Sequence, residues 1–160
     1  MGFKLTIWVG NWLTGVNLCT IALNIVLNKE KSMNAEELIE IIDGKLMNPD
    51  ADLTREIKGG CGADLMSDVL ASIQPEAVLL TGLCNPQVVR TAQMADVSAI
   101  VLVRGKLPPK ETIDLANRER IPLITSPFGM FELCGRLYQN GLKSYESSVA
   151  DGDCSCEVFS

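Results

Sequence analysis

Three short apolar runs, Ala77-Val-Leu-Leu80, Ser98-Ala-Ile-Val-Leu-Val103 and Ile121-Pro-Leu-Ile124, constrain this chain more than any other feature. They recur about every 22 residues, with no polar alternation inside them. Continuous apolar runs of that length suit strands buried on both faces. Helical segments over 86–95, 109–119 and 127–139 separate and follow them. Strand and helix in alternation mean βαβ units with right-handed crossovers. The expected fold is therefore α/β, three-layer, with a mostly parallel sheet and helices on both faces. In such sheets ligands collect at the carboxyl ends of the strands, which directs attention to the loops 59–64, 82–86, 104–109 and 125–129.

The α/β pattern begins at Met33. Asn34-Ala-Glu-Glu37 is a capping arrangement that starts a helix, with Leu38, Ile41 and Ile42 at helical spacing and Gly44 as its terminator. After Ile57-Lys-Gly-Gly60 comes a helical stretch over 64–73, whose Leu65, Met66, Val69, Leu70 and Ile73 share one face. A chain of 160 residues holds one such domain comfortably, assigned here to 33–143.

Residues 1–32 do not share this pattern. From Leu5 to Leu27 there is no charge, and the stretch has roughly the length of a membrane span. Asn11, Asn17 and Asn24, together with Thr14, Thr20 and Gly15, dilute its hydrophobicity, which argues against a membrane. Three readings stay open: a misassigned start upstream of Met33, an arm lying on the domain, and a weak membrane segment. Residues 144–160 read as an acidic, cysteine-containing and disordered tail, with four acids and no bases.

The net charge of −6 and the scattered bases exclude a nucleic-acid surface. A small anion is still compatible with an acidic chain, because backbone N–H groups at a helix entry bind one whatever the global charge. The chain has no histidine, which removes the usual general base and the commonest metal ligand. Its six cysteines lack the spacing of a small secreted domain, so reduced thiols and a cytoplasmic location are expected. Cys154 and Cys156 have no second close pair in the sequence to complete a metal site, and no metal is expected.

Gly59-Gly-Cys-Gly-Ala-Asp64 is the most informative loop. Three glycines in four positions before a helix can form an anion nest, although the stretch is neither a Walker A loop nor Gly-x-Gly-x-x-Gly. The same pattern also suits a plain strand-to-helix turn. Asp64 can cap the helix or accept from a ligand hydroxyl, and Cys61 is either a thiol activated by the helix entry or a small half-buried residue. Ser67 lies one turn into the helix. Asn85 before Pro86, and Ser126 before Pro127, are helix caps that can also face a ligand. The ligand-binding candidates are thus Gly59, Gly60, Cys61, Asp64, Ser67, Asn85 and Ser126. No carboxylate pair or base-activated nucleophile is visible.

Arg55-Glu-Ile-Lys-Gly-Gly60, Asp64-Leu-Met-Ser-Asp-Val69, Ala99–Val103, Ile121–Ile124 and Phe131-Glu-Leu-Cys-Gly-Arg-Leu137 together resemble the DRTGG family, over most of residues 33–142. Lys58 stands where the family's naming motif has Thr, and Arg55 alone echoes its Asp-Arg. The family occurs as the N-terminal domain of HPr kinase/phosphorylase, beside CBS domains in regulatory pyrophosphatases, in some phosphate acetyltransferases, and as short proteins encoded near iron hydrogenases. The resemblance implies a regulatory, non-catalytic domain without the kinase's P-loop catalytic part. No cofactor is expected, with an adenine nucleotide or other small phosphorylated molecule as regulatory ligand. A homodimer or a neighbour-encoded enzyme, such as a hydrogenase-type complex, is the expected partner. A protein-binding accessory role and a small enzyme using Cys61 are the alternatives.

Overall fold

The computed structural model describes residues 32–147. Its elements in chain order are β1 (Met33–Asn34), α1 (Ala35–Ile41), β2 (Lys45–Leu46), β3 (Glu56–Ile57), β4 (Gly59–Gly62), α2 (Met66–Ser72), β5 (Ala77–Thr81), α3 (Pro86–Met94), β6 (Ala99–Leu102), α4 (Lys110–Glu119), β7 (Leu123–Thr125) and α5 (Met130–Gln139). The expectations for 1–31 and 148–160 lie outside the described residues. Among the described residues no helix is long and apolar enough to cross a membrane.

Five strands form one sheet in the order β2-β7-β6-β5-β4, with β4 to β7 parallel and β2 antiparallel at one edge. Strands β1 and β3 make a separate antiparallel pair. The apolar runs are continuous because each strand feeds two cores. Leu79, Ile100, Leu102 and Leu123 pack with Val69, Val88, Val89, Ala92 and Ala116 from α2, α3 and α4. Val78, Leu80, Val101 and Ile124 face the other way, onto Leu38 of α1 and Leu133 and Leu137 of α5. Period-2 alternation is present, but apolar side chains occupy both faces. The three-layer α/β expectation therefore holds.

Parallel neighbours in strictly sequential order send every right-handed crossover to the same side, so α2, α3 and α4 share one face. After β7 the chain changes sides, and α5 joins α1 on the opposite face. There is consequently no strand-order reversal among β4 to β7, and none of the crevice that such a reversal opens in doubly wound sheets.

Helix α1 starts as read from the sequence, with the Glu37 N–H donating to Asn34 Oδ1 at 2.9 Å. Its end differs. The left-handed residue is Asp43, at φ 49°, and not Gly44. Gly44 is required by packing instead, since a Cβ there would lie 2.7 Å from Ile124 Cγ2. A larger correction concerns Gly59–Gly62, expected as a loop: it is the edge strand β4, in register with Ala77–Leu80. Its outer edge is strapped by Ser144–Ser147, residues assigned to the tail from the sequence. The Gly60 N–H donates to the Lys143 carbonyl and the Tyr145 N–H to the Gly60 carbonyl, each at 2.9 Å, and the Ser147 N–H reaches the Ser72 carbonyl at 2.7 Å. An edge strand presents unpaired backbone groups, and the strap satisfies part of that edge.

Candidate functional site

At the carboxyl ends of the strands the chain builds a hydrogen-bonded cluster around Asp64, two residues beyond β4. Helix α2 begins later than the sequence pattern indicates, with Leu65 at the cap position and no side-chain cap, so Asp64 does not cap it. The carboxylate turns to the next strand. Its Oδ1 accepts from the Gly82 N–H at 2.6 Å and from Thr81 Oγ1 at 3.0 Å. The Thr81 hydroxyl in turn accepts from the Leu83 N–H at 3.2 Å. The Gly82 N–H, with the Thr81 hydroxyl and the charges of Lys106 and Arg104, holds the Asp64 carboxyl below the usual carboxylate range against the opposing effect of burial. It is ionised at neutral pH, and its Oδ2 is not used by these two donors.

The cations come from the loop after β6. Arg104 and Gly105 are both left-handed, at φ 64° and 63°, a conformation that a non-glycine residue adopts only when its surroundings impose it. Here the Arg104 N–H donates to the Phe128 carbonyl and the Gly105 N–H to the Ser126 carbonyl, each at 2.7 Å. Thr125 Oγ1 fixes the Lys106 carbonyl at 2.8 Å. These bonds pin the loop to the end of β7 and carry Lys106 Nζ back to the Gly82 carbonyl. Gly82 lets both charges approach the backbone: a Cβ there would lie 3.3 Å from both Asp64 Oδ2 and Lys106 Nζ. The cluster offers a fixed carboxylate oxygen for a ligand hydroxyl and two basic groups for an anion. Arg104, Lys106, Thr81 and Gly82 were not singled out from the sequence, because a basic residue in a loop carries no signal until the loop's partner strand is known.

The other predicted residues scatter. Asn85 is exposed at the entry of α3 and caps by position only, without a side-chain bond. Ser67 is exposed on the first turn of α2. Ser126 is fully buried, its hydroxyl donating to the Ile42 carbonyl at 2.8 Å and accepting from the Phe128 N–H at 3.3 Å. It is a structural tie between α1 and the β7 turn, with no surface to offer a ligand, and α5 begins only at Met130.

Cys61 is also corrected. It lies inside β4, 3% exposed, and not at a helix entry. Burial, helped by a hydrogen bond to Glu146 and that residue's charge, pushes its thiol up to about 12. That is the reverse of nucleophile activation. Gly59 is explained by the strap, because a Cβ there would run into the Tyr145 side chain. Gly60 and Cys61 also line a pocket of about 280 Å³ between β4, α5 and the strap.

The DRTGG domain model matches residues 37–139. No curated protein sequence matches the chain. Among solved structures the fold is similar to the CBS and DRTGG domains of the regulatory region of Clostridium perfringens pyrophosphatase, complexed with its activator diadenosine tetraphosphate. The identity is 20% and the TM-score 0.55, over 67% of this chain and 46% of that one. The chain thus spans less than half the length of that relative, and at this identity the likeness speaks for the fold. The family match reaches from α1 to the last residue of α5, more than half of the chain, and on that ground this protein belongs to the DRTGG domain family.

Proposed function

We propose that this DRTGG domain is a non-catalytic regulatory module that senses a small phosphorylated molecule, in the first place an adenine nucleotide, at the carboxyl ends of β4, β5 and β6. The observation that carries the reading is the rim itself: Arg104 and Lys106 are exposed on a loop pinned in a left-handed conformation beside the ionised Asp64. Phosphate oxygens would take the two cations, and a ribose hydroxyl would donate to Asp64 Oδ2. The pyrophosphatase regulatory region, complexed with a dinucleoside polyphosphate, supports a ligand of this class. The glycine-rich segment then contributes indirectly, as the strand that delivers Asp64 to the rim.

A thermal-shift series of the full chain with ATP, AMP, diadenosine tetraphosphate and inorganic phosphate tests this. A ligand at 100 times its dissociation constant adds about 2.7 kcal/mol. The expected result is a stabilisation by at least one nucleotide that is lost in the Arg104→Ala, Lys106→Ala double variant. No shift from folded wild-type protein with millimolar ligand overturns the reading.

A second reading, a docking face for a protein partner such as a neighbour-encoded redox enzyme, is favoured by one observation. Leu65, Leu107 and Phe131, all in or just after loops at the carboxyl ends, are exposed, Phe131 to 94%. Co-purification with such an enzyme, abolished by Phe131→Ser, is its discriminator. A homodimer and a hydrogenase-type partner rest on the family resemblance. A thiol-dependent activity through Cys61 has the burial and the raised thiol against it.

A further inference from the structure

Beyond α5 the chain turns back along the β4 edge of the sheet. Ser144 pairs in parallel with Gly60, and Glu146 pairs antiparallel with Ile73, just past the end of α2. The strap therefore runs in the direction of β4, towards the carboxyl ends. Its last described residue, Ser147, donates to the Ser72 carbonyl. The sequence continues Ser148-Val-Ala-Asp-Gly-Asp-Cys-Ser-Cys-Glu-Val-Phe-Ser160, with three acids and no base.

The rim towards which it runs has a surplus of positive charge. Segments 63–65, 82–85, 103–109 and 126–129 at the strand ends hold three charged residues, Asp64, Arg104 and Lys106. Asp64 is already held by the Gly82 N–H and the Thr81 hydroxyl. Arg104 and Lys106 stand outside the four ion pairs found among the described residues. Lys106 Nζ gives one N–H to the Gly82 carbonyl and has two left. Beside these cations Leu65 and Leu107 are 59% and 72% exposed. The distance is short: about 10 Å up α2 from Ser72 at 1.5 Å per residue, and about 10 Å across from β4 to β6 at the usual strand spacing. An extended chain at about 3.3 Å per residue carries Asp151 about 13 Å beyond Ser147, Asp153 about 20 Å and Glu157 about 33 Å. Asp153 and Glu157 therefore reach Arg104 and Lys106, and Asp151 falls short.

We propose that the chain's own acidic segment 151–159 docks on this rim, with Asp153 and Glu157 paired to Lys106 and Arg104 and with Val158 and Phe159 covering Leu107. Cations meet acids, and exposed apolar side chains meet apolar ones. Exposed ion pairs are individually weak, but a short tether gives the segment an effective concentration of order millimolar. The docked segment occupies the places assigned above to phosphate oxygens, so a phosphorylated ligand must displace it. That competition rests on the sensor reading; the contact itself does not.

Nuclear magnetic resonance on the full chain tests both parts. The tail variant is Asp151→Asn, Asp153→Asn, Glu157→Gln, and the rim variant is Arg104→Ala, Lys106→Ala. Without ligand, the tail variant should move the amides of Gly105, Lys106 and Leu107, and the rim variant those of Asp153 and Glu157. In the unsubstituted chain, salt at about 1 M, where the Debye length is about 3 Å, should move both sets towards their positions in the variants. No cross-effect in either direction overturns the contact, whether or not a nucleotide binds. Cross-effects that fade on dilution place the segment on a second copy and overturn docking within one chain. ATP, titrated into both proteins, should bind the tail variant several-fold more tightly than wild type, and equal affinity overturns the competition. Cross-effects without ATP binding to either protein support the contact and overturn the sensor reading, and with it the competition.

Discussion

Gly59 and Gly60 are neighbours with opposite demands. A Cβ on Gly59 meets the Tyr145 side chain, whereas one on Gly60 has ordinary room. Gly59→Ala must push the strap away from β4 or strain it, and overpacking of this sort costs about 1–3 kcal/mol. Gly60→Ala should be close to neutral, and urea unfolding of the two variants side by side checks the contrast. Asp64 adds a pH signature. Its folded pKa is depressed, chiefly by the Gly82 N–H, so it contributes stability above the ordinary carboxylate range near 4 that is lost as pH falls through its folded value. The urea midpoint of wild type should therefore fall more steeply between pH 5 and pH 3 than that of Asp64→Asn, on an order-of-magnitude pH scale set by those values. Equal slopes would mean that the carboxylate is not held as described. Neither effect can be read from residue identity, since both depend on which backbone lies opposite.

Among the elements, β2 shows how a two-residue strand is kept. It pairs antiparallel with β7 over Lys45 and Leu46, and the pairing is prolonged by the buried Asn48. The Asn48 amide donates to the Ile121 carbonyl and accepts from the Leu123 N–H, each at 2.8 Å. The side chain thus supplies the ladder that the backbone does not. Asn48→Ala would leave two buried backbone groups unpaired, at about 1–3 kcal/mol each where water cannot reach them. A loss of roughly 2–4 kcal/mol in chemical denaturation is expected, with no change in nucleotide binding at the distant β4 to β6 rim. The longer elements were legible for a simpler reason. Pro86–Met94 and Lys110–Glu119 carry helical periodicity over nine and ten residues, β6 is apolar throughout, and β5 is apolar up to Thr81. Gly59–Gly62 was misread because a strand of glycines offers no apolar pattern. What makes it a strand is the parallel partner Ala77–Leu80 on one side and the strap on the other.

For the whole molecule, the sequence by itself determined the class of fold, the alternation of strands and helices from Ala77 to Gln139, and the family. These follow from local periodicity and composition, which operate over a few residues and survive without knowledge of neighbours. Only the tertiary structure decided that the parallel strands run in sequential order, so that α2, α3 and α4 share a face and no switch-point crevice forms. The same is true of the site. Asp64 bonds to Gly82 and Thr81 instead of capping α2, Ser126 is a buried tie, and the place of Arg104 and Lys106 near Asp64 emerges only when β6 lies beside β5. A side chain's chemistry is written in its identity, but its pairing depends on backbone groups that are distant in the chain. Asp64 is 18 residues from the Gly82 N–H it holds and Ser126 is 84 from the Ile42 carbonyl, and such contacts exist only once the sheet has closed.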